Sequence, residues 1–160
     1  MVKIESQSGF TLIELVVVIV ILGILAVTAA PKFIDLQGDA HTANLKAVKA
    51  AMESAGALVY GKSLVKGNNR EPFSNTNTVD LNDGGALLKI HYGHPTNNPA
   101  DWQRLIDING DDFTTLVIGA GFYVYPTGKT APTAKTDACI AYYIAVVNVG
   151  EKPEIAVNPC

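Results

Sequence analysis

Basic residues are few and dispersed in this sequence, with 12 lysines and arginines against 15 aspartates and glutamates and a net charge of −3. Nucleic-acid binding draws its affinity from clustered lysine and arginine that displace counterions. No basic stripe is present, so no nucleic-acid partner is expected. Cysteine is scarcer still. Cys139 and Cys160 are the only two, they stand far apart, and no histidine lies near either, which argues against a zinc site. A nucleophilic triad is lacking, and the GAG at Gly119 to Gly121 lacks the pattern that cradles phosphate and reads as a turn between strands. Nothing here points to catalysis, and the chain reads as a non-enzyme.

What the sequence does have is one long apolar run, unevenly placed. The length of 160 residues suits one domain, and 48% hydrophobic against 17% charged residues suits a folded chain rather than a disordered one. Phe10 to Ala30 is 21 residues with a single charge, Glu14. As a helix it would extend about 32 Å, matching a hydrocarbon core of ~30 Å. A carboxylate inside a spanning helix costs roughly 2.5–3.5 kcal/mol and usually has a partner. Two generic readings of the run fail on that residue. A secretory signal cut after Thr28–Ala30 would need a shorter apolar region without a glutamate in it, although Lys3 supplies a weakly positive start. A plain uncleaved anchor accommodates the length and leaves Glu14 unexplained.

A third reading places the cut between Gly9 and Phe10. GFTLIEL, preceded by the polar MVKIESQS and followed by VVVIVILGILAVTAAP, closely resembles the class III signal of type IV prepilins. That resemblance implies a leader, residues 1–9, removed by a prepilin peptidase on the cytoplasmic side, and N-methylation of the new terminal Phe10. It implies a membrane and filament-core helix over residues 10–30, an amphipathic half over 31–62 and a globular head over 63–160. Glu14 would be the assembly residue, pairing with the Phe10 amine of a neighbouring subunit, since leaving a buried charge unpaired typically costs about 3–5 kcal/mol. The partners implied are further copies of the chain, the peptidase, an assembly platform with its ATPase motor, and the inner membrane before export to a surface pilus. A secretion pseudopilin would share this whole amino terminus, and a secreted soluble protein would need cleavage after Ala30. Pro31, lacking an N–H, and Gly23 are expected to kink or loosen the helix.

Past Pro31, Leu45, Val48, Met52, Ala55 and Val59 recur at helical spacing, with Lys46, Lys49 and Glu53 off the stripe. The helix should end at Gly61 or Gly67. NNREPFSNTNTVDLNDGG reads as a surface loop with room for one short strand. NNPADWQRLIDI predicts a short helix capped by Asn98, with Pro99 in its first turn and Trp102, Leu105 and Ile106 as anchors. FTTLVI, FYVY, ACIAYYIAVVNV and PEIAV predict strands. The fold class is therefore α+β, a long amino-terminal helix packed on an antiparallel sheet.

Asp107, Asn109, Asp111 and Asp112 in DINGDD are a partial echo of a calcium loop without its bidentate glutamate, so a polar turn is the expectation and calcium a weak alternative. His91 and His94 in HYGH read as a solvated turn rather than a metal site. Tyr123, Tyr125, Tyr142 and Tyr143 are expected in the core rather than on sugars. An even cysteine count in an exported protein suggests a Cys139–Cys160 disulfide, with two free thiols as the alternative. The pilin resemblance implies the bridge. Within that family, DLQGDA, YGHP and CIAYY look like the mannose-sensitive haemagglutinin type, which implies a major subunit serving attachment and biofilm formation.

Overall fold

The computed structural model describes residues 9–160, and for residues 29–35, inside a helix, it describes the backbone only. Apart from Gly9, the expected leader lies outside the described residues. Residues to Gln37 and residues from Gly38 onward form two compact units. The first helix, α1, spans Leu12–Lys66 and runs without interruption through Gly23 and Pro31. Gly67, not Gly61, ends it. Gly67 sits at φ +78°, its N–H donates to the Leu64 carbonyl at 3.1 Å, and the Asn68 N–H donates to Ser63 at 3.2 Å. This is the left-handed cap that glycine adopts without a Cβ penalty.

Two antiparallel meanders follow. The smaller has strands β1 (Thr78–Val79), β2 (Leu88–His91) and β3 (His94–Pro95), in that order. A short helix, α2 (Pro99–Leu105), leads into the larger sheet of β4 (Phe113–Ile118), β5 (Gly121–Pro126), β6 (Ile140–Ile144) and β7 (Glu154–Asn158), again in sequence order. The architecture is α+β, a long helix followed by antiparallel sheet. Asn98 caps α2 as expected, its side-chain oxygen accepting from the Ala100 N–H at 3.1 Å.

The α1 stripe supplies one wall of the core. Met52 and Ala55 pack with Trp102 and Ile106 of the α2 region and with Phe122, Val124 and Tyr143 of the sheet. Trp102 stacks on Phe122 with ring centroids 5.5 Å apart and meets Tyr143 at 4.6 Å, and its indole N–H donates to the Thr96 carbonyl. One turn further along α1, Val59 packs with Val79, Leu88 and Ile90 of the smaller sheet. Alternation along β5 sends Phe122 and Val124 to the helix side and Tyr123 and Tyr125 to the other face, where they pack with Ile140 and Tyr142. All four tyrosines expected in the core are buried. Burial pushes the Tyr143 hydroxyl pKa far above its usual value, and its proton goes to the Pro95 carbonyl at 2.6 Å.

Two expectations change. The connection from Asn68 to Gly85 is not simply surface, because Asn68, Asn77 and Thr78 are buried in it. Asparagine amides replace missing apolar contacts there, with Asn77 donating to the Glu71 and Pro72 carbonyls and Asn68 to Thr78. The HYGH turn is real but not solvated. Tyr92 and Gly93, at φ +49° and +84°, form the two-residue link between β2 and β3. His94 is nevertheless buried, stacked on Tyr60 of α1 at 4.7 Å.

Cys139 and Cys160 are bridged. The link lies just past the Ile140–Asn158 pair of β6 and β7, one residue before Ile140 and two after Asn158, and the Cys139 N–H donates to the Pro159 carbonyl. The Cys160 N–H donates to the Thr42 hydroxyl at 2.9 Å, so the clip also reaches α1. Replacing both cysteines by serine should lower stability by about 3 kcal/mol, with β7 amides the first to gain hydrogen exchange; unchanged thermal unfolding in detergent micelles would refute this. A second fastener is Arg104 of α2, which grips Asp83 in a paired contact at 2.8 Å. The Arg104 guanidinium, with help from the Gly85 N–H, holds the Asp83 carboxyl down at about 2. Its contribution is present above the ordinary carboxylate range near 4 and is lost as pH falls through about 2. An NMR titration should find Asp83 ionising near pH 2, and Arg104→Ala should return it toward 4.

Candidate functional site

The residues singled out at the amino end come together around the first turn of α1. Gly9 and Phe10 precede the helix in non-helical backbone and are exposed, Phe10 at 93%. Thr11 stands at the N-cap, immediately before Leu12. Its backbone N–H and its hydroxyl both donate to Glu14 Oε2 at 2.8 Å, and the Glu14 N–H donates to the Thr11 hydroxyl oxygen at 3.4 Å. This is a reciprocal capping box, the pattern Thr-x-x-Glu that satisfies two otherwise orphaned donors. It also sets a carboxylate against the partial positive charge of the helix start.

The capping box alters the energetic reasoning about Glu14. Read as a lone charge waiting for a neighbour, Glu14 carries the full cost of an unpaired buried group. In the structure it already has two donors from its own chain. Any pairing with another subunit therefore exchanges one set of partners for another, and the gain is a difference between satisfied states. The spacing TLIE ahead of an apolar run was the available signal, and attention to the charge alone overlooked it.

Beyond the cap, every described side chain from Leu12 to Thr28 is exposed. Large aliphatic residues dominate, and even the best covered, Val16, is 42% exposed. A continuous apolar surface of this kind marks an interaction site for protein or lipid. Among the described residues no helix is long and apolar enough to cross a membrane. Side chains are described only to Thr28, and 17 helical residues reach about 26 Å, short of a ~30 Å hydrocarbon core. A Cβ at Gly23 would meet nothing within 4 Å. Pro31 falls among the residues whose side chains are not described.

The other candidates lie elsewhere in the chain. In DINGDD, Asn109 accepts from the Asp111 N–H through its side-chain oxygen and donates to Asp112 Oδ2 at 2.9 Å. Its carbonyl receives the N–H groups of Asp112 and Phe113. The loop is a self-satisfied turn entering β4, and Asp107 takes no part in those bonds. Among the described residues no group of three acidic, histidine or cysteine side chains is placed to hold a metal ion. His91 stacks on Tyr92 at 4.4 Å while His94 stacks on Tyr60, so the two imidazoles serve separate contacts.

Residues 5–30 match the prokaryotic N-terminal methylation motif. The type IV narrow pilus major component PilA5 of Thermus thermophilus is 56% identical over 51 residues, covering 32% of this chain and 44% of that protein. A fimbrial protein of Pseudomonas aeruginosa is 42% identical over 65 residues, covering 38% of this chain and 41% of its own length. The type IV major alpha-pilin of Moraxella bovis is 43% identical over 63 residues, with 38% and 40% covered. The match thus spans less than half the length of each of these curated relatives. No solved structure matches.

Replacing Thr11 by valine should remove the hydroxyl half of the box and cost about 1 kcal/mol at the helix start. Hydrogen exchange at Glu14 in micelles should then quicken about fivefold, and equal exchange in the two proteins would show that the hydroxyl cap contributes nothing.

Proposed function

We propose that this chain is a type IV pilin, a structural subunit that polymerises through its amino-terminal helix into a bacterial surface filament. The observation that carries the reading is the exposed apolar run of α1, which starts at a capped end inside a matched methylation motif. Before assembly the run sits in the inner membrane, where lipid covers it. A prepilin peptidase cuts between Gly9 and Phe10 and methylates Phe10. A platform protein and an ATPase motor then move the subunit into the filament, where neighbouring helices replace lipid. Glu14 exchanges its Thr11 donors for the cationic Phe10 amine of an adjacent copy. Gly23 and Pro31 are the points at which α1 can bend in that packing. The subunit's role is structural, with no reaction of its own.

The finer reading is a major subunit of the mannose-sensitive haemagglutinin type, serving adhesion and biofilm formation. DLQGDA, YGHP and CIAYY support it. The shared amino terminus also fits a secretion pseudopilin, and electron microscopy of sheared cell surfaces separates the two, since only the pilus reading gives long surface fibres.

Mass spectrometry of the exported protein should find N-methyl-Phe10 as its first residue. A product starting at Pro31 would sink the proposal. Glu14→Ala should enter the membrane normally and reduce filaments at least tenfold, whereas Glu14→Gln, which keeps hydrogen-bond acceptors for Thr11 and loses the charge, separates capping from ion pairing. Normal filament yield with glutamine would eliminate the pairing with Phe10.

A further inference from the structure

A cavity of about 830 Å³ opens in the head between α1, the loop after it, the β2–β3 turn and the segment entering β7. That volume falls within the ~300–1,000 Å³ range of small-molecule sites. Two features of its wall stand out. Gly56 lies mid-helix in the wall, where glycine costs about 1 kcal/mol relative to alanine. A Cβ there would meet nothing within 4 Å, so no packing contact demands the glycine. Tyr92, also in the wall, takes its left-handed φ of +49° from the two-residue turn it shares with Gly93. His94 lines the cavity at 9% exposure with its Nδ1 lacking any hydrogen-bond partner. Burial holds the His94 imidazole below its ordinary pKa, against an opposing pull from the Glu151 carbonyl.

The charges on the wall are not equally free. Glu53 is paired with Lys49 at 3.3 Å, and Glu151 accepts from the Val147 and Asn148 N–H groups and from the Asn148 amide. Arg70 and Lys152 line the same cavity and make no ion pair or side-chain hydrogen bond among the described residues. The wall therefore offers aromatic rings beside two uncommitted cations.

We propose that this cavity binds a sugar acid, a pyranose ring bearing a carboxylate. The ring's C–H face lies on the tyrosine side chains, over the space left by Gly56. The carboxylate takes Arg70 and Lys152, as charge-assisted hydrogen bonds favour. Asn69 meets the hydroxyls. A wholly aromatic ligand would leave those polar groups unpaired, and a neutral sugar would leave the cations idle. The inference stands apart from filament assembly, since no residue of the amino-terminal run takes part.

The test is saturation-transfer NMR on the full-length chain in detergent micelles, with tri-galacturonate, its methyl ester and the galacturonate monomer as probes. Tri-galacturonate should receive saturation, and the ester, which keeps the ring and loses the charge, should bind at least tenfold more weakly. Monomer binding assigns the free acid, and binding of the trimer alone assigns a polymer-borne residue. Gly56→Leu should abolish binding while thermal unfolding shifts little or upward, because the added side chain occupies open space. Arg70→Ala with Lys152→Ala should weaken binding at least tenfold, and Lys129→Ala, between β5 and β6, should leave it unchanged. Absence of saturation with the wild-type chain, equal binding of the ester, or retained binding in a folded Gly56→Leu protein would each overturn the proposal.

Discussion

One face of α1 is the constraint on which the rest of the head depends. Leu45, Met52 and Val59 are wholly buried along it, with Ala55 nearly so, and that single stripe serves two sheets in succession. Burying such side chains stabilises a fold by about 1.5–3 kcal/mol each. The larger sheet brings Phe122, Val124 and Tyr143 to the stripe, with Trp102 wedged between helix and strands. The smaller sheet then closes over Val59. Each sheet is a meander of short strands, and pairing alone gives such strands little independent stability. The helix supplies the apolar surface that makes them a core.

The same helix carries an opposite pattern in its first turns, where aliphatic residues face outward on every side. A helix that is apolar all round belongs in lipid or inside other protein. The capping box makes this end self-sufficient until such surroundings are met. With Thr11 satisfying Glu14, the carboxylate need not be a standing penalty on the single chain. In the proposed filament the competition lies between a neutral hydroxyl with an amide N–H on one side and a cationic amine on the other. Charge-assisted bonds are roughly twice as strong as neutral ones, more so where water is excluded. Lipid or helix packing around the run therefore tilts the exchange toward the neighbour.

Polar side chains do a comparable job in the head where apolar residues run out. The loop after α1 is held by Asn68 and Asn77 bonding to backbone carbonyls, and by Lys66 donating to Thr78. Arg104 fastens the next loop through Asp83. The disulfide and the Thr42 contact secure the last strand.

Much of this was legible in the residues themselves, because the relevant physics is local. Helical spacing marked the buried stripe, Asn98-Pro99 marked the start of α2, and alternating or continuous apolar runs marked the four strands of the larger sheet. Capping belongs to the same class, and TLIE was readable although the charge drew attention away from it. What stayed hidden depended on partners distant in sequence. No local pattern says that His94 will leave a polar turn to stack on Tyr60, that asparagines will be buried in a loop, or that Arg70 and Lys152 will share one wall. Sequence by itself determined the helix, its apolar end and the strand-rich remainder, since periodicity and capping act within a few residues. Tertiary structure alone decided which polar groups are buried, which charges are left uncommitted and where open space remains, since those follow from the packing of segments that meet only in the folded chain.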